Sequence, residues 1–244
     1  MPKLLFSIIL LSSLPSFLLA SSEEIMPEAS QVGPDGMPEL FRTSDSCMAC
    51  HNVLVAPSGE DVSIGIDWRS SMMANSARDP YWQAAVRREV MDHSEAQKAI
   101  EGKCSLCHMP MQRYRTRITD REGQIFAHLP VREADSFADR LAADGASCTM
   151  CHQITDEHFG EKQSFTGHFV VDTERPWGER EIFGPFDVDP GRTTIMRSAS
   201  RFQQKEAAHV QESELCATCH TLYTHALGPE GEVIGELPEQ VPYL

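Results

Sequence analysis

The sequence predicts a mainly α-helical chain with long loops and one short β-hairpin. Three observations carry this. Asp79-Pro80 reads as an N-cap followed by proline at the first helical position, ahead of a helix-forming run. The segment 134–144 is amphipathic and stops at Gly145. Clusters of Gly, Pro and β-branched residues break up much of the chain between 153 and 200.

In chain order, Lys3 is the one early charge, and residues 4–20 are apolar apart from scattered serines. Leu18-Leu19-Ala20 before Ser21-Ser22 resembles a small-residue cleavage site, so residues 1–20 read as a secretory signal peptide. As an uncleaved anchor the run is near the lower limit of spanning length, and Pro15 interrupts it. The expectation is export, most simply to the periplasm, with no stable membrane insertion after cleavage. Residues 21–46, rich in Ser, Glu, Pro and Gly, are expected to be an extended lead-in. Residues 47–244 then make one domain.

Within it, 57–66 reads as a loop, and a helix is expected from about 80 to 101 with Gly102 as its stop. Arg113, Arg115 and Arg117 alternate, which puts all three on one face of a strand. "TDREG" reads as the turn and "QIFAHL" as the return strand of a hairpin. A short helix covers 134–144. Residues 153–200 read as loop with short strands, and 202–222 as helix with a break at Ser213.

The eight cysteines form four copies of one pattern: Cys47-x-x-Cys50-His51, Cys104-x-x-Cys107-His108, Cys148-x-x-Cys151-His152 and Cys216-x-x-Cys219-His220. None is left over. Disulfides, redox dithiols and zinc ribbons have no need of a histidine after every second cysteine. Cys-x-x-Cys-His is the attachment signature of c-type haem: both thiols become thioethers, and the adjacent imidazole faces the iron. The expectation is four covalently bound haem c groups with His51, His108, His152 and His220 as proximal ligands. Macrocycles this numerous would form much of the core. The intervals between motifs are irregular, so there is no fixed-period repeat.

Each iron has a second axial position. A second protein ligand makes an electron carrier; an open position makes a possible catalyst. Six histidines lie outside the motifs. The leading distal ligands are His93, on the helix before Cys104; His128, in an apolar run; His168, after Gly167 and beside Phe169; and His209, seven residues before Cys216 with Ala207 and Ala208 leaving room for a flat ring. His225 is too near His220 to cross the same macrocycle and would serve a neighbour. His158 reads as a solvated turn. Met72, Met73, Met109, Met111 and Met196 are the methionine candidates, with packing the more ordinary role. The three alternating arginines suit haem propionates, an anionic substrate, or a solvated face. Asp187, Asp189 and Gly191 suggest a cation loop or, more simply, a turn.

Acidic residues number 36 against 21 basic, for a net charge of −15. This excludes nucleic acid and anionic membrane surfaces as natural partners and suits redox partner proteins with a basic face.

"DWRSSMMANSARDPYW", "CSLCHMPM", "ADGASCTMCHQI" and "SELCATCHTLYTHALGPEGEVIGELPEQVPYL" resemble the multihaem c-type cytochrome superfamily. It includes the tetrahaem cytochrome c of ammonia oxidisers, hydroxylamine oxidoreductase, pentahaem nitrite reductase and octahaem tetrathionate reductase. The resemblance covers about residues 40–244. It implies closely packed haems, mostly with two histidine ligands, in a helical, loop-rich fold. Catalytic members keep one open or unusual iron, and the nitrite and tetrathionate reductases use a lysine there. Every motif here ends in histidine, so the Cys-x-x-Cys-Lys form is absent. The "GELPEQVPYL" ending resembles an internal segment of longer relatives, so the chain is either a complete cytochrome or the front part of a larger one. The expected function is exported electron transfer. The alternatives are an oxidoreductase acting on a small nitrogen or sulfur compound at a five-coordinate haem, and a haem-bearing subunit that docks an enzyme.

Overall fold

The structure is a computed structural model, and it describes residues 32–241. The expected signal peptide, the first part of the lead-in and the last three residues lie outside that range. Helix outweighs strand, 42% against 13%, so the chain is mainly α with small sheets.

The helices are α1 (Asp45–Met48), α2 (Ile64–Arg69), α3 (Pro80–Asp92), α4 (Gln97–His108), α5 (Pro110–Arg117), α6 (Phe137–Ala143), α7 (Cys148–Cys151), α8 (Pro190–Ser200) and α9 (Ser213–His220). The strands are β1 (Glu181–Gly184), β2 (Gln203–Glu206), β3 (Leu222–Leu227) and β4 (Val233–Gln240). β1 pairs with β2 in parallel, and β3 with β4 in an antiparallel hairpin.

Two helix starts follow from their caps. The Asp79 carboxylate accepts from the Tyr81 amide with Pro80 at the first position of α3. Ser136 and Asp139 form a reciprocal capping box on α6. The amphipathic segment is therefore helical, and Gly145 follows it at φ +66°. A Cβ there would lie 2.5 Å from the Met73 carbonyl oxygen, so both the turn and the close approach require glycine.

Elsewhere the structure corrects the sequence reading. The helix begun at Pro80 ends at Asp92, and His93 sits at φ −131°, ψ 60°. A new helix, α4, then runs through Gly102 into the second motif. The close approach is at Gly123, where a Cβ would lie 2.5 Å from the Ser105 hydroxyl and 3.0 Å from the Gly102 Cα. The stretch read as an arginine-bearing strand is α5, with Pro110 at its first turn. Its buried set includes Met111, Tyr114 and Arg115, a helical spacing that the alternating charges masked. "QIFAHL" contains a single 3₁₀ turn, Phe126–His128, and the hairpin lies instead at β3–β4. Ile64 and its followers, read as loop, start α2. Residues 190–200, also read as loop, are α8. The start of 202–222 is strand β2 rather than helix, followed by a 3₁₀ turn, Ala208–Gln211.

Two apolar clusters fix the motifs in space. Phe41, Met111, Tyr114, Leu141, Met150 and Ile154 belong to the first, against which Cys151 and Cys219 pack. Trp82, Val86, Met109 and Ile125 belong to the second, against which Cys104 packs. Each fully buried Leu or Met side chain contributes about 2 kcal/mol by leaving water. Arg115 is fully buried and forks onto Asp35, at 2.9 and 2.7 Å, while its Nε donates to the Pro38 carbonyl. This ties the lead-in to the core.

Candidate metal centres

All four motifs fold as a helical turn. The first closes with Cys50 N–H and His51 N–H donating to the Cys47 carbonyl, and the third with His152 N–H donating to Cys148. The second and fourth end α4 and α9. Residues i, i+3 and i+4 share one face of a helix, so each motif presents two thiols and an imidazole on one side.

The motifs also touch one another. The Cys47 thiol lies against Cys148, and the Cys107 thiol against Cys219. Cys151 has Cys219 and Cys216 around it. The first motif is therefore paired with the third and the second with the fourth, and Cys151 of the third and Cys219 of the fourth pack against one apolar cluster. In each touching pair the donor thiol is pushed up and the acceptor lowered: the hydrogen bond from Cys47 brings Cys148 down to about 7, and Cys219 falls with Cys107 as donor. Burial pushes Cys104 up to about 11 and Cys151 up to about 12. None of the eight cysteines is joined to another in a disulfide.

Four imidazoles are held by Nδ1 on an oxygen acceptor. His108 uses the Ser76 carbonyl at 2.8 Å, His152 the Phe183 carbonyl at 2.6 Å, and His168 the Phe165 carbonyl at 2.9 Å. His128 uses the Asp139 carboxylate at 2.7 Å. Neither a carbonyl nor a carboxylate can donate, so in each case Nδ1 carries the proton, and in the neutral ring Nε2 keeps a free lone pair. That is how a metal-ligating histidine is held from behind. Burial lowers the His108 and His168 pKa values, which favours the neutral form that binds metal. Gly167, next to His168, donates to the Thr218 carbonyl, and a Cβ on it would lie 3.0 Å from Leu106. His168 therefore stands between the second and fourth motifs.

His209 is turned the other way. It is buried, with Nε2 on the Ile154 carbonyl at 2.8 Å and its ring edge-on to Phe183. His93 is exposed at the end of α3. His51 and His220 occupy their motif positions, half-buried and exposed respectively. His158 is exposed in a turn between Glu157 and Glu161. His225 lies on β3 opposite Glu236.

The arginines do not share a face. Arg115 serves Asp35, Arg113 donates to the Gly102 carbonyl, and Arg117 donates to the Gly167 and Phe169 carbonyls. Asp189 is the N-cap of α8, accepting from Gly191 and Arg192, so the suspected cation loop is a helix start.

The donor sets suit haem c. Among the described residues no group of three or more His, Cys, Asp or Glu is gathered to hold a bare metal ion. The Thr221 hydroxyl, one residue past His220, is buried without a hydrogen-bond partner, a donor in place for a carboxylate. Around the first motif Val53, Ile64 and Ile66 stand exposed, apolar surface that a flat macrocycle would cover. Sequence reasoning missed Ser76, Phe165, Phe183 and Asp139 as the groups that hold the imidazoles. Only Asp139 carried a signal, the Ser-x-x-Asp spacing of its capping box.

No protein-family model, no curated protein and no solved structure matches this chain.

Proposed function

We propose that the chain is an exported tetrahaem c-type cytochrome that carries electrons between redox partner proteins. Cys47, Cys50, Cys104, Cys107, Cys148, Cys151, Cys216 and Cys219 would hold the four haems, with His51, His108, His152 and His220 on their irons. Haem iron supplies one-electron exchange when bound. The single observation that carries the reading is the shared geometry of His108 and His152: each follows a helical Cys-x-x-Cys turn and has Nδ1 fixed on a backbone carbonyl, leaving Nε2 free. His128 and His168 have the same orientation and lead the distal candidates, ahead of His93 and His209.

The chain's own part is to hold ring planes and keep neighbouring centres close. The pairing of first with third and second with fourth motif, with the third and fourth on one apolar cluster, favours one continuous line of exchange. The net charge of −15 favours a basic redox partner. Export to the periplasm rests on residues 1–20. No helix among the described residues is long and apolar enough to cross a membrane.

A second reading, an oxidoreductase for a small nitrogen or sulfur compound at a five-coordinate haem, draws on His209. Its Nε2 is committed to Ile154, so one iron could lack that ligand.

The deciding experiment is electron paramagnetic resonance of the oxidised protein, with covalent haem counted on the same sample. Four low-spin haems support the carrier. A high-spin haem that shifts on adding cyanide or nitrite replaces it with the enzyme. A protein expressed with the haem-attachment machinery that carries no covalent haem defeats both.

A further inference from the structure

A cavity of about 530 Å³ lies apart from the motif cysteines and their histidines. None of the eight cysteines and none of the four motif histidines lines it. It sits behind His152, because Phe183, whose carbonyl holds His152 Nδ1, forms part of its wall. Its size falls in the range of about 300–1,000 Å³ usual for small-molecule sites.

Arg180 lines this cavity and is 3% exposed. Its Nε donates to Gln153 Oε1 at 3.1 Å, Nη1 to the Arg175 carbonyl at 3.3 Å, and Nη2 to the Asp172 carbonyl. All three acceptors are uncharged. Of the five guanidinium N–H groups, these three bonds leave two to spare. Among the described residues Arg180 joins no ion pair, although Asp172 and Glu181 line the same cavity. The Asp172 carboxylate is engaged by Arg175, and Glu181 by Arg175 and Lys205. The Asp172 charge favours the Arg180 cation against the cost of its burial, but that carboxylate is engaged by Arg175, so a further anion at the two remaining N–H groups would be favourable. Asp156 and Glu212, also on the lining, are exposed and repel a multiply charged visitor. A single negative charge spread over two oxygens offers an acceptor for each of the two remaining N–H groups, one on Nη1 and one on Nη2.

We propose that this cavity binds one carboxylate group through Arg180. The carboxylate is either a diffusible monocarboxylate or a haem propionate reaching back from the third motif; the second source rests on the haem reading above. His209, a candidate distal ligand, lines the same cavity, so the test below follows Arg180 alone.

The test uses the full-length, haem-loaded protein, with haem counted in every sample. Acetate is titrated calorimetrically into wild type, R180Q, R180K and K205A, and the four midpoint potentials are measured for each. Saturable binding of one acetate, weakened about tenfold or more in R180Q and altered less than about threefold in K205A, supports a diffusible carboxylate. No acetate binding in wild type, with one haem potential displaced in R180Q, supports an internal propionate. R180K keeps the charge but loses the fork, so it shows the same effect in weaker form if R180Q does not fold. No acetate binding together with four unmoved potentials in R180Q, or in R180K should R180Q not fold, overturns the proposal. So does acetate binding that these variants leave intact. A sample without haem that still binds acetate through Arg180 separates this site from the cytochrome reading.

Discussion

The His108 imidazole lies flat on the Trp82 indole, with ring centroids 4.1 Å apart and planes 4° apart. The Ser76 carbonyl holds the same imidazole through Nδ1. Stacking and hydrogen bond together fix both the plane and the tautomer. Replacing Trp82 with Leu removes the stack and part of a buried volume. We expect a stability loss of about 2 kcal/mol in urea unfolding. We also expect one of the low-spin resonances to move as its ring plane loosens. An unmoved spectrum in a destabilised W82L protein would show that Trp82 packs but does not orient.

Asp35 and Arg115 carry the second prediction. Burial acts to raise the Asp35 carboxyl, but the hydrogen bond and charge of Arg115 outweigh it and hold the group below its ordinary 3.8. A carboxyl depressed in the folded state contributes stability that is present above its unfolded pKa and lost as pH falls through the folded one. Asp35→Asn leaves Arg115 buried without its partner, at a cost of about 3 kcal/mol near neutral pH. The gap between wild type and D35N is expected to stay level down to the unfolded pKa of Asp35 and close progressively below 3.8. Denaturant melts from pH 7 to pH 3 read this directly. A gap that widens on acidification would contradict the assignment.

Gly145→Ala is the third. Its φ of +66° and the 2.5 Å approach to the Met73 oxygen leave no place for a methyl group. The left-handed backbone alone costs about 1–2 kcal/mol, and the clash adds to it. Thermal unfolding should register the loss. The third motif begins two residues beyond Ala146, so its haem occupancy should fall with it. Wild-type stability in G145A would mean that the turn relaxes elsewhere.

Changing Cys216 and Cys219 together to serine removes the thioether donors of one motif. The intact mass is expected to drop by one haem, leaving the other three attached. An unchanged haem count would rule out attachment at that motif.

The residues differ in how openly they announced their places. Asp79-Pro80 and the segment before Gly145 were readable because their caps are local: a side chain bonds an amide two or three residues away. Asp189-Pro190 carries the same signature and starts α8, yet the glycines and prolines around it obscured it. The arginines misled because Arg115 is drawn inward by Asp35, a partner far back in the chain that no local period reveals. The expectation of thiol and imidazole chemistry rests on the Cys-x-x-Cys-His spacing, which is local and can be read directly. The backs of the imidazoles were not, since Ser76 and Phe183 act through backbone carbonyls, which every residue possesses.

The crossed contacts of the motifs set a timetable for biosynthesis. A ribosome delivers the first Cys-x-x-Cys-His long before the third, and the second long before the fourth. Cys47 cannot meet Cys148, nor Cys107 meet Cys219, until the later segment has emerged. Each early thiol pair therefore passes through an interval in which it is open to modification and shielded by nothing. Chemistry that needs those sulfurs without a neighbouring thiol belongs to that interval, although Cys50 stays exposed and Cys47, Cys104 and Cys107 partly exposed in the folded chain.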